Sequence, residues 1–112
     1  YRRELAAVYD DALSDAGWVG RVPVAAGCVS ARHLYQILVE DRDAMIGRLN
    51  AAGIFPGVHY RDNTDYALYQ DAAGSCPNAA AQSARLLSLP LHLRLTHGDA
   101  RYVAETVVRC AG

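Results

Sequence analysis

The stretch HLYQILV, residues 33–39, is the segment of the sequence most typical of a β-strand. Aromatic and β-branched residues favour strands, and successive side chains of a strand point to opposite faces of its sheet. The leucines and Gln36 therefore share one face, whereas Tyr35 and Ile37 lie on the other. Because both faces are largely apolar, we predict an interior strand.

A helix is predicted directly after this strand. Asp41 is a residue type that caps the first turn of helices, and apolar residues then recur at helical spacing up to Ala52. Gly53 is typical of the position that follows a helix end. The sequence around HLYQILV therefore predicts a strand, a short turn and a capped helix.

The rest of the chain alternates between helical and extended patterns. Helices are predicted over Tyr1–Ala16, over Asn78–Leu87 and from the Thr96–Asp99 capping box onward, and extended segments over Val22–Ala26, Ile54–Tyr60 and Ser88–His92. We therefore expect a two-layer α+β fold, with a short, mostly antiparallel sheet of three to four strands and helices packed on one face.

Length and composition exclude several classes of protein. A chain of 112 residues suits a single domain, 1–112, and with 52% hydrophobic residues it is too apolar to be disordered. A formal charge of -1 argues against a nucleic-acid partner. The apolar stretches are far shorter than the ~20 residues of a membrane span, so no membrane partner is expected.

The three cysteines, Cys28, Cys76 and Cys110, form no Cys-x-x-Cys pair. An odd number of widely spaced cysteines fits neither a disulfide framework nor a zinc ribbon. We therefore expect reduced thiols and a cytoplasmic protein.

All eleven cationic residues are arginine, and the sequence contains no lysine. Chemistry that needs a lysine amine cannot be completed by these residues. The sequence also begins within a helical pattern at Tyr1, from which we expect a piece of a longer polypeptide.

Two histidines lie next to tyrosines in predicted strands, His33 near Tyr35 and His59 beside Tyr60. If the two strands are neighbours, these side chains form a polar cluster. Alternatively, each histidine makes one backbone hydrogen bond in a half-buried position, which the residues alone favour. The short ligand spacings of zinc sites are absent, so no metal site is expected.

The segment 60–65 carries a phenol, a guanidinium, two carboxylates and an amide within six residues. Arg61 has the planar donor geometry that binds phosphate or carboxylate. A solvated loop with a turn at Asp62 is an equal alternative. The sequence shows no nucleophile motif, glycine-rich phosphate loop or nucleotide fingerprint, so no catalytic or cofactor-binding residue is predicted.

An ordered series of short segments resembles one family. The segments are Ala31–Ile37, Arg42-Asp43, Ala52–Ile54, Gly57–Tyr60, Pro77-x-Ala79 with Ser83, Leu87–His92, and Leu95-Thr96 with Asp99 and Val103. Together they resemble the C-terminal small domain of the nucleotide-sugar aminotransferases of the DegT/StrS type, which have the type I aminotransferase fold. The resemblance extends from Tyr1 to Val108.

This resemblance implies an enzyme that uses pyridoxal 5'-phosphate (PLP) to move an amino group, usually from glutamate, onto a keto-sugar attached to a nucleoside diphosphate. In that family the PLP lysine belongs to a large N-terminal domain, and the enzymes are dimers. The resemblance therefore implies a chain that is inactive alone and binds no PLP by itself.

The resemblance also implies which residues form one wall of the substrate cleft. It assigns substrate contacts to His59 and Tyr60 and a phosphate or carboxylate contact to Arg61, with His33 and Tyr35 nearby. Many family members continue after the His-Tyr pair with prolines and a further histidine, which this sequence lacks, so the sugar and even the choice between transamination and dehydration stay open. The alternative is a freestanding, non-catalytic α+β domain that binds a ligand or a partner.

Overall fold

Four α-helices, three short strands and two 3-10 helices build residues 1–110, the part of the chain that the computed structural model describes. The elements are α1 (Arg2–Ala12), β1 (Gly20–Arg21), β2 (Tyr35–Leu38), α2 (Arg42–Ala51), the 3-10 helices Asn63–Asp65 and Ala67–Ala72, α3 (Pro77–Arg85), β3 (Leu86–Leu89) and α4 (His97–Arg109). Within these residues no helix is both long and apolar enough to cross a bilayer.

The three strands form one antiparallel sheet in the order β1-β2-β3, with β2 in the centre. In β2, Leu38 pairs with Gly20 of β1 and with Leu86 of β3, and Tyr35 pairs with Leu89. The central place of β2 confirms the predicted interior strand, and the sheet with its helices confirms the predicted α+β class.

The core lies between one face of the sheet and the helices. Tyr35 and Ile37 of β2 are buried on this face, and the Tyr35 ring packs against Tyr9 of α1 with 4.7 Å between ring centroids. Helix α4 packs along α1 and contributes Val103 and Val107 to the same core. Fully burying one side chain of this size contributes about 1.5–3 kcal/mol, so the apolar alternation of β2 directly stabilises the layer arrangement.

The predicted caps on α2 and α4 are confirmed. Asp41 caps α2 by accepting a hydrogen bond from the backbone N–H of Ala44 at 3.2 Å, and Gly53 follows the helix with a φ of 76°. Thr96 and Asp99 exchange the two hydrogen bonds of a capping box at the start of α4.

Three predicted extended segments are wrong in extent. Of Ser88–His92 only Ser88 and Leu89 belong to a strand, because β3 comprises Leu86–Leu89. Val22–Ala26 is not a strand, since β1 comprises only Gly20 and Arg21 and ends before Pro23, which has no N–H for a ladder. Ile54–Tyr60 is reduced to a single bridge, in which Gly57 pairs with Ser88.

Two predicted helices are also too long. Helix α1 ends at Ala12 rather than at Ala16, and α3 ends at Arg85 rather than at Leu87. Leu86 and Leu87 instead belong to β3, where their backbone groups pair with β2. Pairing and burial against the sheet thus outweigh the helical spacing of these leucines.

Candidate functional site

A single β-bridge places the segment that carries His59 against the sheet. The N–H of Gly57 donates to the Ser88 carbonyl at 2.9 Å, and the N–H of Ser88 donates to the Gly57 carbonyl at 2.8 Å. The His59 ring lies directly over Gly57. A Cβ atom at Gly57 would be only 2.5 Å from His59 Cε1. The missing side chain of Gly57 therefore makes room for the imidazole.

His59 and Tyr60 present two different surfaces. Their rings contact edge to face, with centroids 5.3 Å apart and planes at 90°, and the peptide bond between them is cis. His59 is half-buried, and its Nδ1 is buried with no hydrogen-bond partner among residues 1–110. Tyr60 is 73% exposed. The pair thus offers a positioned imidazole and an outward-facing phenol.

Gln36 connects this segment to the centre of the sheet. Its side-chain amide donates a hydrogen bond to the His59 carbonyl. Strand alternation places Gln36 on the face opposite Tyr35 and Ile37, so the site lies on the face of the sheet away from α1.

Ser83 of α3 holds the residues that follow His59. The Asp62 N–H donates to Ser83 Oγ at 2.8 Å, and Ser83 Oγ donates to the Tyr60 carbonyl at 3.4 Å. Asp62 and Ser83 are only 7% and 8% exposed. Asp62 Oδ1 also accepts from the Thr64 N–H at 2.9 Å, which is the side-chain turn expected at this position.

Arg42 of α2 links the same segment to a second helix. Its guanidinium donates to the Ser83 carbonyl and forms an ion pair with Asp43 at 2.9 Å. The hydrogen bond and the charge of Arg42, followed by the charge of Arg61, hold the pKa of Asp43 below its usual value. Arg42 is thus neutralised, whereas Arg61 is exposed.

Two open clefts meet at Arg61 and Ser83. One, of about 480 Å³, lies between the 60–64 segment and α3, and the other, of about 360 Å³, lies between α2 and α3. Their shared lining residues are Arg61 and Ser83. An anion in the larger cleft would therefore have the exposed guanidinium of Arg61 on its wall, whereas the smaller cleft also carries the carboxylates of Asp43 and Asp65.

Tyr35 and His33 lie apart from this arrangement. Tyr35 is 2% exposed and donates its hydroxyl to Asp10 Oδ1 at 2.7 Å, with the Arg32 guanidinium 5.8 Å from its ring centroid. Burial, followed by the hydrogen bond to Asp10, raises the pKa of Tyr35. His33 is exposed just before β2. Tyr60 and Arg61 line the cleft of about 480 Å³, whereas His59 lines a separate cleft of about 260 Å³ with Leu34 and Ser88. A substrate role for any of the five predicted residues stays a prediction.

Three residues that shape the site were not among those predicted for it: Gln36, Arg42 and Ser83. All three lie in the segments that carry the family resemblance, but nothing in their local sequence indicates which backbone groups their side chains contact. Across residues 1–110 no group of three or more histidine, cysteine or acidic side chains is arranged to bind a metal ion.

Comparison with known proteins gives a consistent result. A sequence model of the DegT/DnrJ/EryC1/StrS aminotransferase family matches residues 1–108. The aminotransferase TlmJ from Streptoalloteichus hindustanus is 32% identical, with a TM-score of 0.85 over 97% of this chain and 30% of its own. The sugar aminotransferase CalS13 from Micromonospora echinospora is 31% identical, with a TM-score of 0.85 over 95% of this chain and 29% of its own.

A third similar structure is the PLP form of Spr1654 from Streptococcus pneumoniae. It is 27% identical, with a TM-score of 0.88 over 97% of this chain and 30% of its own. The chain thus spans about 30% of the length of these solved proteins.

Proposed function

Because the chain belongs to the DegT/DnrJ/EryC1/StrS aminotransferase family, we propose that it is the C-terminal small domain of a longer PLP-dependent sugar aminotransferase. That enzyme transfers an amino group from glutamate to a keto-sugar linked to a nucleoside diphosphate. The observation that carries the proposal is the family match over residues 1–108, together with a fold shared with whole aminotransferases of which this chain covers about 30%.

The absence of lysine sets what this domain contributes. PLP supplies an electron sink that stabilises negative charge on the substrate carbon. None of the 112 residues is lysine, so these residues do not fit the covalent attachment of PLP. The chain's own part is therefore to bind and orient the substrate.

We propose that the segment carrying His59, Tyr60 and Arg61 forms the substrate wall. The exposed guanidinium of Arg61 can form paired hydrogen bonds with a phosphate of the nucleotide, and this geometry also fixes orientation. Tyr60 offers a phenol that both donates and accepts hydrogen bonds to sugar hydroxyls. The hydrogen bond from Gln36 holds the His59 backbone, and the missing side chain at Gly57 leaves space for the His59 ring.

Exposed apolar side chains support a larger enzyme around this domain. Tyr66, Leu68 and Tyr69 follow the candidate site directly in sequence, and Leu68 is 82% exposed. Clustered apolar side chains of this kind are typical of surfaces that another part of a protein covers. We propose that the large domain, or the second subunit of a homodimer, covers them.

The remaining parts of the proposal follow from the same family membership. The partners are the nucleotide-sugar and the amino donor, and the compartment is the cytoplasm. A formal charge of -1 supports the absence of a nucleic-acid partner.

A kinetic test uses the full-length PLP enzyme with His59→Ala. Loss of the imidazole is expected to raise KM for the nucleotide-linked keto-sugar about 5–10-fold and KM for glutamate less than about 2-fold, since one lost polar contact is worth ~1 kcal/mol. The control is His97→Ala, which removes an exposed imidazole at the start of α4, beside Tyr1 and Glu4.

Two results would contradict the proposal. Equal changes in both KM values would remove His59 from the substrate wall. An open reading frame of about 110 codons, too short for the large domain of this family, would favour the freestanding binding domain instead.

A further inference from the structure

We propose that Ser83 is a positioning residue for the substrate wall, acting through the backbone of residues 60–62. The inference rests on the proposed function, because its effect is on how the wall meets the nucleotide-sugar. Ser83 lies on α3, where it contacts the 60–62 segment directly and lines the cleft of about 480 Å³.

The hydroxyl of Ser83 satisfies two backbone groups of the segment at once. It accepts from the Asp62 N–H at 2.8 Å and donates to the Tyr60 carbonyl at 3.4 Å. One side chain thus spans the two peptide groups on either side of Arg61. The direction of the Arg61 side chain therefore depends on this contact.

The way α3 is packed supports a positioning role over a packing role. Within α3, Ser83 is the only buried residue, whereas its alanines at 79 and 80 are exposed. An amphipathic helix normally buries apolar side chains. Here the one buried position is polar, and its hydroxyl is used on the segment that carries the site.

The backbone of Ser83 is itself held by a side chain of α2. Its carbonyl accepts a hydrogen bond from Arg42, whose side chain is only 11% exposed and is paired with Asp43. Ser83 thus connects α2, α3 and the substrate wall through a single residue. If its hydroxyl is removed, the Asp62 N–H is left buried without a partner, and the segment is expected to shift to recover one.

The test uses the full-length PLP enzyme and a panel of dTDP- and UDP-linked keto-sugars. Ser83→Ala is expected to raise KM for the accepted sugar nucleotide about 5–10-fold, with KM for glutamate changed less than about 2-fold. Ser83→Thr keeps the hydroxyl and is expected to have the wild-type KM for the sugar nucleotide. Ser83→Val, whose side chain has almost the same shape as threonine but no hydroxyl, is expected to show the raised KM of Ser83→Ala.

Thr106→Val is the matched control. Thr106 is also a buried hydroxyl residue, 3% exposed, but its Oγ1 donates to the Tyr102 carbonyl within α4 at 2.7 Å and makes no contact with residues 60–62. Loss of the hydroxyl at Thr106 is expected to leave both KM values at the wild-type level. Thermal unfolding of every variant is measured in parallel, so that KM values are compared only between folded enzymes.

The other possible results contradict either the role of Ser83 or the proposed function. The inference alone is overturned if the wild-type enzyme is active and Ser83→Ala leaves KM for the sugar nucleotide unchanged. It is also overturned if Ser83→Thr and Ser83→Val have the same KM. A Ser83→Ala enzyme that does not fold, accompanied by equal KM values for Thr and Val, also overturns it. A wild-type enzyme that aminates none of the panel counts against the proposed function.

Discussion

Neighbouring residues of β2 have opposite tasks. Tyr35 points into the core and donates its hydroxyl to Asp10 of α1, so it holds the helix layer against the sheet. Gln36 points the other way and donates to the His59 carbonyl, so it holds the candidate site against the sheet. A change in register of one residue would exchange the two faces, so the burial of Tyr35 and Ile37 on the core face fixes the register of β2 between β1 and β3.

Among the glycines of residues 1–110, Gly57 is the one at which an added Cβ atom would meet the closest neighbour. In Gly57→Ala the added Cβ would lie 2.5 Å from His59 Cε1, so the imidazole must move. Because the clashing atom is at the end of a half-buried side chain that can rotate, we expect this variant to lower the free energy of unfolding by about 1 kcal/mol, the low end of the cost of overpacking, in urea denaturation.

The control for Gly57→Ala is Gly47→Ala in α2. A Cβ at Gly47 meets no atom within 4 Å, so alanine is expected to stabilise the helix by about 0.5–1 kcal/mol. If both alanines changed stability in the same direction, the placement of the His59 ring over Gly57 would be wrong.

At the scale of elements, hydrogen bonds at helix ends decide where helices begin. The Thr96 hydroxyl, followed by the Thr96 backbone N–H, holds the pKa of Asp99 below its usual value. Because the folded pKa lies below the unfolded one, the carboxylate stabilises the folded state above about pH 4 and loses that contribution as the pH falls below it.

This linkage makes a testable statement about α4. Asp99→Asn is expected to be less stable than the wild type at pH 6, and the difference is expected to shrink as the pH falls below about 4. Thermal unfolding between pH 3 and pH 6 measures it. Asp71→Asn, a change in an exposed 3-10 helix, serves as the control and is expected to show no such trend. A constant difference across the whole range would contradict the role of the Asp99 carboxylate.

At the scale of the whole molecule, none of the 112 residues is lysine, the residue that would attach PLP in the proposed enzyme. We expect PLP added to the isolated 112-residue chain, followed by borohydride reduction, to label no lysine, since the chain has none, and we expect the chain to show no transaminase activity. In the full-length enzyme the same treatment is expected to label one lysine outside these residues. Peptide mapping by mass spectrometry measures both. Transamination by the isolated chain would contradict the assignment of catalysis to the rest of the enzyme.

The sequence by itself determined the features that depend on near neighbours along the chain. The alternation of HLYQILV defined the central strand, and the residues Asp41, Gly53 and Thr96 defined helix ends, because caps and side-chain periodicity act over two to four residues. The order of short segments likewise indicated the family.

Only the tertiary structure decided which residues form the candidate site. Ser83 reaches Asp62 across 21 positions of sequence, and Gln36 reaches the His59 carbonyl across 23. Tyr35, which the family resemblance placed near the substrate wall, instead donates a hydrogen bond to Asp10 on the other face. Backbone groups near a site take whichever partner the packing of distant segments brings within about 3 Å, and no local pattern encodes that choice.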